Sequence, residues 1–153
     1  MNKDLKTIFD VPSRERLIDR ICSLNPNSNA LWGKMNVSQM VKHCTIWDEM
    51  ALGKTILKQA FIGRLFGKMA LKSMIKDDKP FQRNIGSLPE LIVTEQSDDL
   101  ELLKKQWITS LEEYSHLNDD HVFVHSFFGK LNKKQTGLLA YKHTDHHLRQ
   151  FGV

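Results

Sequence analysis

Residues 132–150 read NKKQTGLLAYKHTDHHLRQ, and the rest of the chain is interpreted outward from this stretch. Asn132 is a favourable N-cap and Gln135 can return a hydrogen bond to it, so the segment predicts the start of a helix. Along that helix, His143 and His147 fall on the same stripe as the apolar side chains. Two imidazoles therefore occupy positions where core side chains are expected.

His143 and His147 are four residues apart, which is about one helical turn, with Cβ atoms roughly 6 Å apart on one face. This spacing allows two neutral imidazoles to bind one metal ion from a single helix. The alternative is a pair of core or surface histidines satisfied by hydrogen bonds. The spacing by itself leaves both interpretations open.

The length of 153 residues predicts a single domain over 1–153 with a core of its own. The net charge of +4 is spread along the chain without an RNA-module signature, so we expect no nucleic-acid partner. The N-terminus lacks an apolar signal region, and no stretch approaches the about 20 apolar residues of a membrane span. We therefore expect a cytoplasmic protein in which Cys22 and Cys44 are reduced core residues.

Four main helices are predicted from periodicity and capping signals, and no stretch predicts a strand convincingly. Residues 80–97 read as a long connection, and 121–130 as a loop rich in aromatic residues. The expected architecture is an all-α four-helix bundle with an accessory amphipathic helix between the second and third main helices. The predicted main helices are 12–24, one capped by Asn36 and Gln39, one from a box of Asp98 and Glu101 to Leu117, and one following Asn132.

The accessory segment, residues 53–79, combines a strongly apolar face with a basic ridge of Lys68, Lys72 and Lys76. The favoured interpretation is a helix that covers the bundle, with Gly63 and Gly67 allowing close contact with another helix. It could instead cover the mouth of an active site and attract an anionic substrate. A third alternative is contact with an acidic membrane surface or nucleic acid. Its apolar face could also be self-complementary, as in a homodimer.

His43 is the only histidine before residue 116, and it flanks the apolar stripe of the second helix. A histidine in such a position often packs in the core with a hydrogen bond to its ring. It is also a nitrogen donor available from a second helix. Both interpretations remain open on the residues alone.

The run His143-Thr-Asp-His146-His147-Leu-Arg149-Gln150 resembles the C-terminal signature of the DinB/YfiT-like superfamily of four-helix-bundle proteins. The longer run from His125 to the end of the chain is similar to one branch of that superfamily, a domain of unknown function. That branch usually has proline where this chain has Ser126. The resemblance covers nearly the whole chain in element order, except for the basic segment.

The resemblance implies that His43, His143 and His147 form a metal triad holding a divalent ion, typically zinc or nickel. Some relatives are thiol-dependent transferases or isomerases that use bacillithiol, mycothiol or glutathione, and many have no known reaction. Relatives are often dimers. The resemblance implies an enzyme that acts on a small molecule, and a low-molecular-weight thiol is one candidate partner.

Three nitrogen ligands leave an open coordination position, which suits either hydrolysis or thiol transfer. The sequence assigns no catalytic residue. It does assign candidate neighbours of the site, and it predicts that Arg149 reaches a carboxylate on a neighbouring helix. A non-catalytic bundle that binds metal or a small ligand is the alternative function. The candidate neighbours are His146 (second shell or packing), Gln150 (orienting a ligand or substrate), His125 (facing the cavity) and Trp47.

Overall fold

The structure is a computed structural model that describes residues 5–86, 88–95 and 99–153. Within these residues the chain is mostly helical, with one small antiparallel sheet. Short 3₁₀ turns lie at Pro89–Leu91 and Tyr114–His116. The helices and strands are α1 (Val11–Ser23), α2 (Val37–Ala51), α3 (Phe61–Met74), α4 (Leu100–Glu113), β1 (Val122–His125), β2 (Gly129–Asn132) and α5 (Lys133–Gln150).

The two helices that carry the candidate ligands begin with complete capping boxes, as the sequence predicted. In α2 the Asn36 side chain accepts from the Gln39 backbone at 2.9 Å, and the Gln39 side chain accepts from the Asn36 backbone at 3.0 Å. In α5, Asn132 and Gln135 make the same two bonds at 2.9 and 3.1 Å. Both boxes satisfy backbone N–H groups that a helix start otherwise leaves unpaired.

The cap of α4 differs from the prediction. The Asp99 carboxylate accepts from the backbone of Leu102 at 2.9 Å, so Asp99 is the N-cap. Asp98, which we predicted as the cap, lies outside the described residues. The helix ends at Glu113 and continues as a 3₁₀ turn, so its end is earlier than the predicted Leu117.

Helices α1, α2, α4 and α5 enclose the core. α2 packs against both α4 and α5, and α1 packs against the same two helices. The buried residues are mainly apolar, so the hydrophobic effect favours this arrangement, and His43, Asp48 and His147 are among the buried polar ones. The largest side chains completely buried there include Trp107, Tyr114, Leu17, Ile21 and Met40.

The expectation of an all-α chain is wrong at residues 121–130, where the predicted loop is a β-hairpin. Strands β1 and β2 pair antiparallel, with Phe123 opposite Leu131 and His125 opposite Gly129. Side chains alternate between buried and exposed along the strands, which is the period of a half-buried strand. Gly129 has φ +76° at the end of the turn, a conformation that glycine adopts without strain.

Helix α3 confirms the accessory helix, and its buried face consists of Gly63, Gly67 and Leu71. Gly63 and Gly67 lie against the backbone of Phe127 in the hairpin turn, where a Cβ at either position would collide with the Phe127 carbonyl oxygen. The prediction that these glycines contact another helix is wrong, because both lie against the hairpin turn. Apart from the buried Leu71, most large apolar residues of α3 face outward, unlike those of a helix that simply covers a core.

The burial of the two cysteines and the character of the helices bear on two further expectations. Cys44 is buried, but Cys22 is exposed, so the prediction that both are core residues is wrong for Cys22. Among the described residues, no helix has the length and apolar character needed to cross a bilayer.

A buried carboxylate lies between α2 and α4. Asp48 is completely buried and accepts hydrogen bonds from Trp107 Nε1 at 2.9 Å and from Tyr114 Oη at 2.7 Å. Burial raises the pKa of Asp48 to about 7, although the two donors lower it. The native state therefore favours the protonated acid.

Because the pKa of Asp48 is higher in the folded state than its ordinary 3.8, its contribution to stability is complete below about pH 4 and is lost as the pH rises to about 7. The loss should approach about 1.4 kcal/mol per pH unit within that window. Asp48→Asn keeps an acceptor for Trp107 and offers an N–H to Tyr114. We expect the free energy of unfolding of the wild type, measured by urea denaturation, to fall relative to this variant from pH 4 to 7. Parallel pH profiles would contradict this, and exposed Asp19→Asn serves as the control.

Candidate metal centre

Three imidazoles from two helices converge in the core. His43 projects from α2, and His143 and His147 project from α5. The Nε2 atom of His43 lies 3.1 Å from Nε2 of His147 and 3.3 Å from Nε2 of His143. His43 and His147 are buried, and His143 is partly buried. One candidate nitrogen from each ring lies within 4.8 Å of the others, so the group can hold a metal ion.

The protonation of the His43 ring follows from its backbone partner. Nδ1 of His43 lies 2.9 Å from the carbonyl oxygen of Leu91, and a carbonyl oxygen only accepts. Nδ1 therefore carries the proton, and in the neutral ring Nε2 presents a lone pair. Leu91 ends the 3₁₀ turn that begins at Pro89. This turn, within what the sequence predicted only as a long connection, orients the histidine of α2.

The protonation of His147 follows from a longer chain of contacts. The backbone oxygen of Trp32 accepts from Gln150 Nε2 at 2.8 Å, which identifies the nitrogen of that amide. The amide oxygen then faces Nδ1 of His147 at 2.8 Å, so Nδ1 must donate. Nε2 of His147 is left with its lone pair directed at His43.

The loop around Trp32 is held against the end of α5. The backbone N–H of Leu31 donates to the Gln150 carbonyl oxygen at 2.7 Å. Gly33 has φ +82°, and a Cβ there would lie 2.5 Å from Gln150 Nε2. Glycine is therefore needed at this position for both backbone conformation and close approach.

The ring of His143 is positioned by stacking. Trp47, one turn after His43 on α2, stacks on it with the ring centroids 4.6 Å apart and an interplanar angle of 19°. Nδ1 of His143 is buried and has no hydrogen-bond partner among the described residues. Contact with a flat aromatic ring thus replaces the hydrogen bond that orients each of the other two imidazoles.

The three rings are all held neutral. Burial lowers the pKa of His43, lowers that of His143 well below the ordinary value, and lowers that of His147 to about 3. The mutual repulsion of the imidazolium forms adds to burial for His143 and His147. Neutral imidazole is the form that binds a metal.

The donor set fits a metal ion. Two lone pairs, on Nε2 of His43 and His147, face each other at 3.1 Å, which is unfavourable unless a cation or a proton lies between them. A tetrahedral ion with bonds of about 2.0–2.1 Å to nitrogen separates two ligands by about 3.3 Å, close to the 3.1 and 3.3 Å seen here. If Nε2 of His143 carries a proton, it can donate a hydrogen bond to Nε2 of His43. No proton then lies between Nε2 of His43 and Nε2 of His147.

A cavity of about 360 Å³ adjoins the three rings. His125, His146 and Trp47, which the sequence proposed as neighbours of the site, all line it. Nδ1 of His125 accepts the backbone N–H groups of Phe127 and Phe128 at 3.1 and 3.2 Å. His125 therefore stabilises the hairpin turn as well as forming a wall, and burial lowers its pKa to about 4.

Two proposed roles need revision. Gln150 was expected to orient a ligand or substrate, but its amide bonds to His147 and Trp32 and it does not line the cavity. Arg149 was expected to reach another helix, but its Nε donates to Asp145 of the same helix at 2.7 Å. The carbonyls of Leu91 and Trp32 were missed, because no side-chain pattern identifies which backbone oxygen will meet a given ring.

The fold and site define a mostly helical protein with a buried three-histidine group that can hold a metal ion. The chain belongs to the DUF1569 family, described as a protein of unknown function, whose match extends over residues 5–152. No curated protein and no solved structure matches the chain. The predicted membership of a family of unknown function is thereby confirmed, and its link to the DinB/YfiT-like superfamily stays a prediction.

The contacts predict a specific tautomer at two positions. In the metal-free protein near neutral pH, His43 and His147 should both carry the proton on Nδ1 and leave Nε2 unprotonated. Two-bond ¹H–¹⁵N correlation spectra of the imidazoles distinguish the two nitrogens. Gln150→Leu removes the acceptor of His147 and should abolish the preference there while leaving His43 unchanged. Protonated Nε2 on both rings in the wild type would contradict the assignment.

Proposed function

We propose that this protein binds one divalent metal ion through His43, His143 and His147 and acts as a metal-dependent hydrolase or thiol S-transferase on a small molecule. The observation that carries the proposal is the pair of unprotonated Nε2 atoms facing each other at 3.1 Å in the core. Burying such a pair is costly unless a bound cation compensates it. The cavity beside the pair supplies room for a small molecule.

The residues around the centre have separable tasks in this proposal. Leu91 and Gln150 hold the tautomers of His43 and His147, and Trp47 holds the plane of His143. Such outer partners raise the basicity of a ligand and reduce the reorganisation needed on binding. When bound, a divalent ion supplies Lewis acidity and lowers the pKa of a coordinated water or thiol.

Zinc and nickel are the ions we propose, because imidazole nitrogen suits both. Magnesium and calcium prefer oxygen ligands, and the three-histidine group contains no carboxylate. Three protein ligands leave at least one position for water or substrate, as in catalytic zinc sites.

We also propose that α1, α2, α4 and α5 form the four-helix bundle of DinB/YfiT-like proteins. Their mutual packing supports this, as does the origin of the three histidines on two facing helices. Bundle proteins commonly build metal sites from side chains on facing helices. In that case the hairpin and α3 are additions that close the cavity.

His146 is the cavity residue best suited to contact a bound molecule. It lies in the wall between Trp32 and Phe81, with ring centroids 5.7 and 5.9 Å away, and its nitrogens form no hydrogen bond to the described residues. His125 is less suited, because its Nδ1 already accepts two backbone N–H groups. His146 therefore remains able to donate to or accept from a ligand.

A non-catalytic role in binding metal or a small ligand is the second candidate. It is favoured by the walls of the cavity, since no carboxylate is among the described residues that line it. An enzyme that activates water needs a general base, most often a histidine, and burial lowers the pKa of the cavity residue His146, which weakens it as a base. A binding protein needs no such group.

Metal content tests the proposed site. Protein prepared without a histidine tag should contain close to one zinc-class or nickel-class ion per chain, measured by inductively coupled plasma mass spectrometry. His147→Ala and His43→Ala should each lower the content at least about tenfold, because two imidazoles bind far more weakly than three. The exposed His116→Ala is the matched control and should retain the ion. Full metal content in both core variants would sink the proposal.

Turnover separates the two functions. Metal-loaded protein that cleaves esters or amides, or joins thiols to small electrophiles, at rates lost in His147→Ala supports the enzyme. Stable metal binding with no turnover across both panels supports the binding protein.

A further inference from the structure

The chemistry of the cavity walls narrows the class of molecule that the centre accepts. Four aromatic rings line it, from Trp47, Phe81, Phe127 and Phe128, together with aliphatic side chains such as Leu139. The polar side-chain groups in the lining are imidazoles and the indole N–H of Trp47. Among the described residues, no acidic, lysine or arginine side chain reaches this wall.

The uncharged lining of this cavity contrasts with the lining of a second one. A second cavity of similar size, about 400 Å³, lies between α2 and α4 and is lined by charged groups including Lys42, Glu49 and Glu113. The basic ridge of α3 does not compensate, because Lys68 and Lys72 are exposed and only Ala70 and Met74 of α3 line the cavity beside the histidines. The anionic substrate considered from the sequence therefore lacks a partner in these walls.

We propose, resting on the metal-binding function above, that the cavity takes a neutral, largely apolar or aromatic small molecule whose one polar atom meets the metal ion. Apolar walls gain free energy by burying apolar surface, and they leave a charged group desolvated without a partner. The volume of about 360 Å³ lies at the lower end of ligand pockets, so the molecule is small. If a thiol takes part, its charged groups remain outside this cavity.

Three metal-coordinating probes test the class on cobalt-loaded protein by visible absorption. Imidazole supplies the coordinating atom alone, 4-phenylimidazole adds a neutral ring, and 4-(1H-imidazol-4-yl)benzoate adds to that ring a carboxylate that cannot chelate the same ion. We expect 4-phenylimidazole to bind at least about tenfold more tightly than imidazole, and the carboxylate to bind no more tightly than imidazole. A carboxylate that binds more tightly than the phenyl compound overturns the proposal.

A variant that fills the cavity tests whether the phenyl group of 4-phenylimidazole binds there. Ala70→Phe adds a ring from α3 without changing a histidine and should remove the advantage of 4-phenylimidazole while leaving imidazole affinity unchanged. Lys105→Phe places the same side chain at an exposed position on α4 and should change neither. An advantage that survives in Ala70→Phe shows that the phenyl group binds elsewhere and overturns the assignment.

A neutral fluorescent probe separates failure of this inference from failure of the metal site. N-phenyl-1-naphthylamine should bind the metal-free protein and lose at least about tenfold in affinity in Ala70→Phe. If cobalt does not bind but the probe behaves in this way, the proposed function fails and the ligand class stands. If cobalt binds but neither apolar probe does, the ligand class fails and the metal site stands.

The outer face of α3 carries a second, independent inference. Five large apolar side chains there are between 51% and 76% exposed: Phe61, Ile62, Leu65, Phe66 and Met69. They lie on one arc of the helix because the inner arc is occupied by Gly63, Gly67 and Leu71. A contiguous exposed apolar arc of this kind marks an interaction surface.

The charged residues of α3 indicate which kind of partner its outer apolar face contacts. Arg64, Lys68 and Lys72 are spaced by four and form a row along one edge of the apolar arc, and the sequence from Met50 to Lys76 has no acidic residue. In a homodimer formed through α3, the same apolar arc of each copy would pack against the other. The basic rows of the two helices would then lie near each other with no acidic side chain on α3 to pair with them. We infer that α3 lies on an anionic lipid surface, with its apolar side chains in the acyl boundary and its cations at the headgroups.

Vesicle co-sedimentation tests this surface. We expect the protein to bind phosphatidylglycerol vesicles at least about tenfold more strongly than phosphatidylcholine vesicles. The double variant Leu65→Ser with Met69→Ser should lose this binding, and Leu102→Ser, which changes a half-exposed apolar residue of α4, should retain it. Equal affinity for both lipids, or a dimer in analytical ultracentrifugation that the double variant disperses, overturns the lipid assignment.

Discussion

The close approach of two unprotonated nitrogens, Nε2 of His43 and Nε2 of His147, is the constraint on which the rest of this structure depends. Two backbone oxygens enforce it. Leu91 fixes one ring directly, and Trp32 fixes the other through the Gln150 amide. Neither ring can rotate its lone pair away without leaving a buried N–H unpaired, so the core retains an arrangement that favours a cation.

Helix α5 connects this constraint to the remainder of the fold. Its inner face carries His143 and His147, and its other faces bind neighbouring elements. Asp145 accepts from Arg20 of α1 at 2.7 Å. Lys142 donates to the carbonyl oxygen of Met74, the last residue of α3, at 2.5 Å and to that of Asp77 at 2.8 Å. The contacts that hold the helix in place thereby hold two of the three imidazoles in place.

The cavity and the exposed face of α3 share one cause. Glycines at 63 and 67 let α3 approach the hairpin turn closely, and the turn in turn contributes Phe127 and Phe128 to the cavity. The inner face of α3 holds Gly63, Gly67 and Leu71, and most of its other large apolar residues lie on the outer face. The apolar wall of the cavity and the apolar outer surface are therefore two sides of a single packing arrangement.

Local rules were sufficient for the helix starts at Asn36 and Asn132 and for the shared face of His143 and His147, since capping and helical period depend only on neighbours in sequence. The hairpin was missed because strands of four residues carry little periodic signal. That His43 meets the other two histidines was suggested by family resemblance, and only packing of α2 against α5 brings the three nitrogens together. The tertiary structure alone selected Leu91 and Trp32, because every residue has a carbonyl oxygen and the path of the loops decides which one reaches a buried ring.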